Sequence, residues 1–300
     1  MTPSKENLER QLQEIETSRA WKLLQRIGRT RARIAAVLGK REKNGDAPGK
    51  TQDERGAPHA PGPDRQPHNT AARVSNDDRV PVGSVKFGRL RRVRPISDQF
   101  GFDRGLPIDR YYIENFLARN AGDIRGRVLE IGDASYTRRF GGERVSVSDV
   151  LHVREGNPEA TIVADLCRGD NIASDSFDCV ILTQTLHLLY EVRSAIRTIH
   201  RILKPGGVLL ATFPGISQIS RDEWRKSWYW AFTSLSARRL FEEAFPADDV
   251  EVEANGNVLA AISFLHGLAT EELRKRELDT RDPAYEVLIT LRAVKSQTSP

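Results

Sequence analysis

Residues 127–136 read RVLEIGDASY: a short apolar run broken only by Glu130, then a glycine turn at Gly132-Asp133. Arg127–Ile131 is too short to hold itself as a helix and is made of branched and long aliphatic residues, so it reads as a strand. Four further runs of the same kind follow at Arg144–Val147 (RVSV), Ala160–Val163 (ATIV), Phe177–Leu182 (FDCVIL) and Val208–Phe213 (VLLATF). Their apolarity is continuous rather than alternating, the pattern of parallel strands covered on both faces. Asp109–Asn120 and Val192–Leu203 have helical spacing, and the second lies between the last two runs. Strands joined by helical crossovers make a doubly wound α/β sheet.

In such sheets a ligand binds beyond the carboxyl ends of the strands. The residues that follow the strands are Gly132-Asp133, Asp149, Asp165-Leu166 and Gln184 to His187. Three carboxylates and one glycine turn would converge on one crevice. Carboxylates repel phosphates but accept hydrogen bonds from ribose hydroxyls or an amino group and attract a cationic centre. A ribose-bearing, non-phosphorylated or cationic cofactor therefore fits better than a dinucleotide.

VLEIGDASY (128–136), SDV (148–150), ADL (164–166), SFDCVILTQTLHLL (176–189) and LKPGGVLLATFPG (203–215) resemble, in order, the motifs of class I S-adenosylmethionine-dependent methyltransferases of the small-molecule, type 11-like branch. The resemblance covers about Arg127 to Gly215. It implies a Rossmann-like, seven-stranded, mostly parallel sheet of order 3-2-1-4-5-7-6, closed by strand, helix and strand at Val250–Ala254, Val258–Gly267 and Tyr285–Ala293. It also implies S-adenosyl-L-methionine as cofactor. Glu130, Gly132 and Asp133 would border its methionine part, Asp149 would receive the ribose hydroxyls, and Asp165 with Leu166 would meet the adenine. Gln184 joins the same set from the fourth strand, and Lys204 to Gly207 is the turn that launches the fifth. The chain departs from the family in having Ala134 and Tyr136 where further glycines are usual. Gly141-Gly142 interrupts the first crossover, so its helix is expected to be short or absent.

An oxygen nucleophile needs placement and a base. His187, just past the fourth strand, is the candidate base, because imidazole titrates near neutrality. Trp228 and Trp230, within the aromatic stretch RDEWRKSWYWAFT (221–233), and His266 are candidates for acceptor binding. Base-methylating enzymes of the family usually carry an Asn or Asp-Pro-Pro-aromatic string after the fourth strand, whereas this chain has Leu182-Thr183-Gln184-Thr185; neither cysteine follows a proline, and no metal site is expected. Nucleic acid is thereby disfavoured. TSRAWKLLQRIGR (17–29) resembles short leader helices of bacterial glycosyltransferases and methyltransferases of cell-surface polysaccharide assembly, and that resemblance implies O-methylation of a saccharide, glycan-linked or related small-molecule acceptor. An inactive interaction module of the same fold and an RNA methyltransferase are the alternatives.

The net charge of +5 over 300 residues is unevenly spread. Residues 1–95 hold 21 basic and 11 acidic side chains, and the remainder holds 25 and 30, so a basic arm is joined to a mildly acidic body. Residues 1–43 have a helical apolar stripe from Leu8 to Leu38 and dense positive charge after Trp21, which suits a membrane surface or a glycan-assembly partner. Residues 44–95 read as a linker: 44–78 are too polar to offset the entropy of ordering, and Val80–Arg94 is either a docking strand or the fringe of the folded body, taken as 96–300. No apolar run reaches membrane-spanning length. With two cysteines and no signal-like start, a cytoplasmic location is expected, peripheral to the inner membrane face through the arm.

Overall fold

The computed structural model describes residues 80–297, which fall into two units, 80–93 and 94–297. The expected helix of 1–43 and most of the linker lie outside the described residues. In the smaller unit a single 3-10 turn, Gly88–Leu90, carries the Arg91 guanidinium over the Phe87 ring.

The larger unit contains α1 (Ile108–Arg119), β1 (Gly126–Ile131), β2 (Val145–His152), β3 (Ile162–Val163), β4 (Phe177–Thr183), α2 (Val192–Ile202), β5 (Leu203–Pro214), α3 (Ser234–Glu242), β6 (Val250–Asn255), α4 (Val258–Leu265), α5 (Lys275–Asp279) and β7 (Leu288–Val294). The sheet order is β3-β2-β1-β4-β5-β7-β6, as expected, with the first five strands parallel and β7 antiparallel to β5 and β6. Both faces are covered. Leu129, Val180, Leu182, Leu209 and Leu291 bury against α2 and α3, while Val128, Cys179, Ile181, Leu210 and Leu288 bury against α1 and α4. Successive strand residues point to opposite faces, so two cores demand the continuous apolar runs seen in the sequence.

Two local departures shape the sheet's ends. Residues 204–207 bulge out of β5, since Phe177 pairs with Leu203 but Cys179 with Val208. Gly207 fits there because a Cβ would come within 2.8 Å of the Lys204 carbonyl and 3.0 Å of the Phe177 carbonyl. The first crossover has no regular α-helix; a π-turn at Thr137–Gly141 and a 3-10 turn at Gly142–Arg144 lead directly into β2.

The strand β2 runs further than expected, to His152 rather than Val147, and Asp149 therefore lies inside it, opposite Leu129. The strand carries a buried carboxylate because the charge is matched. Arg127 Nε lies 2.7 Å from one Asp149 oxygen, and Thr161 Oγ1 donates to the other at 2.8 Å. The Arg127 guanidinium in turn covers the Phe177 ring. Removing the carboxylate leaves the cation and the hydroxyl short of an acceptor, and hydrogen bonds to charged groups contribute roughly 1.5–3 kcal/mol. Asp149→Ala is expected to lower the unfolding free energy by about 2 kcal/mol in a urea titration; an unchanged midpoint would show that the pair is ornamental.

Candidate active site

The carboxyl ends of β1, β2 and β4 define the crevice. At the end of β1 the Gly132 amide donates to the Leu151 carbonyl and its own carbonyl accepts from Asn157 Nδ2 at 2.7 Å. Gly132 has φ +89°, and a Cβ there would meet nothing within 4 Å, so the bare backbone faces open space. That is the setting in which a ligand approaches main chain closely.

Glu130 points away from this opening. Its carboxylate is buried and accepts from the Tyr136 amide at 3.1 Å, the Thr137 amide at 2.7 Å and Thr137 Oγ1 at 2.8 Å. It holds the start of the crossover, so its oxygens are already engaged by Tyr136 and Thr137 where the resemblance implies a border to the methionine part. Burial, with the nearby Asp133 charge, pushes its carboxyl up to about 7. Asp133 is half-buried on the turn and accepts from the Ser135 amide.

Because Ile131 pairs with Leu151, the residue at the tip of β2 beside the glycine turn is His152. Asp149 is three residues short of that tip and engaged by Arg127 and Thr161, so it does not stand where ribose hydroxyls were expected to meet it. Next along, Asp165 is exposed after β3, with one carboxylate oxygen accepting from the Cys167 amide. Leu166 is buried in the core on the α2 side, which leaves its backbone as the part able to meet an adenine.

Beyond β4, Gln184 adopts φ +48°, and its amide donates to the Thr212 carbonyl. Left-handed backbone at a non-glycine residue is uncommon and is often held at functional turns. The 3-10 turn Leu186–Leu188 then buries His187, whose ring centroid lies 4.3 Å from that of Trp228. Burial drives the His187 pKa down to about 3, so the imidazole is neutral across the physiological range. This alters the expected base: it accepts or donates a hydrogen bond as a neutral ring.

Trp228 and Trp230 part company. Trp228 stacks on Phe100, which packs on Phe264 of α4, whereas Trp230 donates its indole N–H to the Leu189 carbonyl and stacks on Tyr190 at the surface. Two residues past Phe264, the His266 carbonyl accepts the Ile96 and Ser97 amides. Ring contacts thus lead from α4 through Phe100 and Trp228 to His187. Among the described residues, His187 Nδ1, Thr212 Oγ1, Gln218 Nε2 and His266 Nδ1 are buried without a hydrogen-bond partner. Groups of this kind cost about 1–3 kcal/mol each unless something pairs with them. Thr212 and Gln218 carry no sequence signal, because only strand pairing places Thr212 opposite Thr183 at the end of β4. A cavity of 440 Å³ along α3 and another of 210 Å³ beside Asp178 and Gly206 include none of these residues.

Residues 144–211, from the start of β2 into β5, match the family model of a methyltransferase domain. No curated protein matches the chain in sequence. Among solved structures, phosphoethanolamine N-methyltransferase 2 of Haemonchus contortus with S-adenosyl-L-methionine is 18% identical, with TM-score 0.43, over 70% of this chain and 55% of that one. This chain thus spans about half the length of that enzyme. A SAM-dependent methyltransferase from Archaeoglobus fulgidus is 14% identical, with TM-score 0.44, over 62% of this chain and 94% of that one. The N-methyltransferase NodS of Bradyrhizobium japonicum, with S-adenosyl-l-homocysteine, is 16% identical, with TM-score 0.41, over 67% and 94%.

The two displaced ionisations give opposite pH dependences. His187 in the unfolded chain takes up a proton below about 6.5 that the native ring refuses, so its contribution to stability falls as pH drops from there towards 3. Native Glu130 retains a proton that the unfolded chain releases above about 4.5, so its contribution falls as pH rises towards 7. Between pH 6 and 4, wild type should lose stability relative to His187→Phe, by at most about 1.4 kcal/mol per pH unit. Parallel curves in paired denaturant titrations would contradict the buried neutral imidazole.

Proposed function

We propose that the chain transfers a methyl group from S-adenosyl-L-methionine to an oxygen of a saccharide, a glycan-linked molecule or a related small-molecule acceptor. The observation that carries the cofactor half is the open glycine turn at the end of β1, set in a sheet whose β2 to β5 region matches a methyltransferase domain. The donor set fits an uncharged ribose and a cationic centre: Asp133 beside the turn, Asp165 exposed past β3 and Gln184 past β4, with His152 at the tip of β2 in place of a carboxylate. When bound, the cofactor supplies an electrophilic methyl group on a sulfonium.

The acceptor half rests on His187 and Trp228. The Trp228 indole, packed between His187 and Phe100, gives the acceptor side an aromatic wall. His187 Nδ1 is buried without a partner, so a hydroxyl admitted beside it would satisfy the ring and have its oxygen oriented. With a pKa near 3, the ring aligns the hydroxyl more than it removes the proton, so rate would come chiefly from placement.

A second reading, an interaction module that has lost catalysis, draws on one observation: Asp149 and Glu130 are both committed to structural partners. Among the described residues no helix is long and apolar enough to cross a membrane. We place the basic arm at a membrane surface or on a glycan-assembly partner from its sequence alone.

Calorimetric titration with S-adenosylhomocysteine separates the two readings. Binding is expected, weakened about tenfold by His152→Ala, the loss of roughly one hydrogen bond, and unchanged by Asp149→Asn. Absence of binding to folded protein would favour the inactive module, and a strong loss in Asp149→Asn would restore the ribose role to that residue.

A further inference from the structure

Three aromatic side chains stand on the surface beside the candidate acceptor site: Tyr190 is 64% exposed, Tyr229 50% and Trp230 39%. They form one group. Tyr190 and Trp230 stack with ring centroids 5.9 Å apart, and Tyr190 meets Tyr229 edge-on at 5.4 Å. Single exposed apolar residues need no explanation, but adjoining large rings are the kind of surface that marks a binding site.

The group is also anchored. The Tyr229 and Trp230 amides both donate to the His187 carbonyl, at 3.0 and 3.3 Å, and the Trp230 indole N–H is spent on the Leu189 carbonyl. The rings are thereby tied to the main chain of His187. Aromatic groups fixed in advance lose little conformational entropy on binding. The Trp228 ring turns inward to His187 and the Trp230 ring outward to Tyr190, so the platform lies on the solvent side of the segment that carries Trp228.

We propose that Tyr190, Tyr229 and Trp230 form a second ring-binding subsite, so that the acceptor is an oligosaccharide: its methylated ring lies at His187 and Trp228, and the adjoining ring stacks on this platform. The inference rests on the saccharide reading above and deepens it. A pyranose has an apolar C–H face and a polar rim, and the platform presents indole and phenol faces with two phenolic hydroxyls at their edges. The Trp230 N–H, already bonded to backbone, contributes its ring face only.

The test uses the full chain on a printed array of defined mono- to hexasaccharides, with S-adenosylhomocysteine affinity measured on the same preparations. Retained glycans are expected to contain at least two rings and to bind about tenfold more tightly than their monosaccharides. Tyr190→Ala should lower that binding about tenfold, Tyr190→Trp should restore it, and S-adenosylhomocysteine affinity should be the same in all three proteins. Tyr190 is mostly exposed, so its truncation leaves the core intact. Three results would overturn the platform: no preference for more than one ring, equal binding by Tyr190→Ala, or binding to phosphatidylglycerol vesicles that Tyr190→Ala abolishes, which marks a lipid surface instead. Failure to bind S-adenosylhomocysteine counts against the methyltransferase reading, whereas normal cofactor binding without glycan preference counts against this inference alone.

Discussion

One buried carboxylate organises the binding end of the sheet. Glu130, the penultimate residue of β1, accepts two backbone amides and a hydroxyl from Tyr136 and Thr137. Those bonds satisfy donors at the start of the crossover that a longer helix would otherwise leave to solvent or to a capping side chain. With Glu130 holding the next turn, the chain reverses at Gly132 with positive φ and enters the crossover without a regular helix. The short path brings the chain back into β2 early, and β2 can then run to His152 alongside the whole of β1. Asn157 closes the arrangement from the far side of β2 through the Gly132 carbonyl. The opening at the glycine turn is thus a consequence of where Glu130 spends its oxygens.

The strands are legible because two buried faces force apolar runs, whereas their order comes from the family resemblance. What the runs do not contain is pairing partners. Val145 to Ser148 are only partly covered and Asp149 is charged, so by composition the second strand ends near Val147. Pairing with β1, and the match of Asp149 to Arg127 and Thr161, carries it to His152. The residue type expected at the tip was therefore found three positions too early. The side chain of Leu166 belongs to the core, a placement that the motif around Asp165 does not reveal. Trp228 and Trp230 looked like one acceptor element at a spacing of two, and irregular backbone between them sends one ring inward onto His187 and the other outward onto Tyr190.

The same environment sets the chemistry available at His187. A ring packed against Trp228 and cut off from water is poorly suited to hold a proton, and well suited to meet a neutral hydroxyl with a neutral nitrogen. Carboxylates remain on the cofactor side, at Asp133 and Asp165, while the acceptor side is aromatic. The chain's net positive charge belongs to residues 1–95, and the body carries an acidic excess.

Amide hydrogen exchange with and without S-adenosylhomocysteine tests the location of the cofactor site most directly. Added protection is expected at residues 131–137, 152–157, 165–168 and 183–188, the ends of the first four strands, with none at 123–126 or 204–208 at the opposite end of the sheet. Protection confined to that opposite end, or absent everywhere at saturating ligand, would contradict a cofactor crevice built on the Gly132 turn.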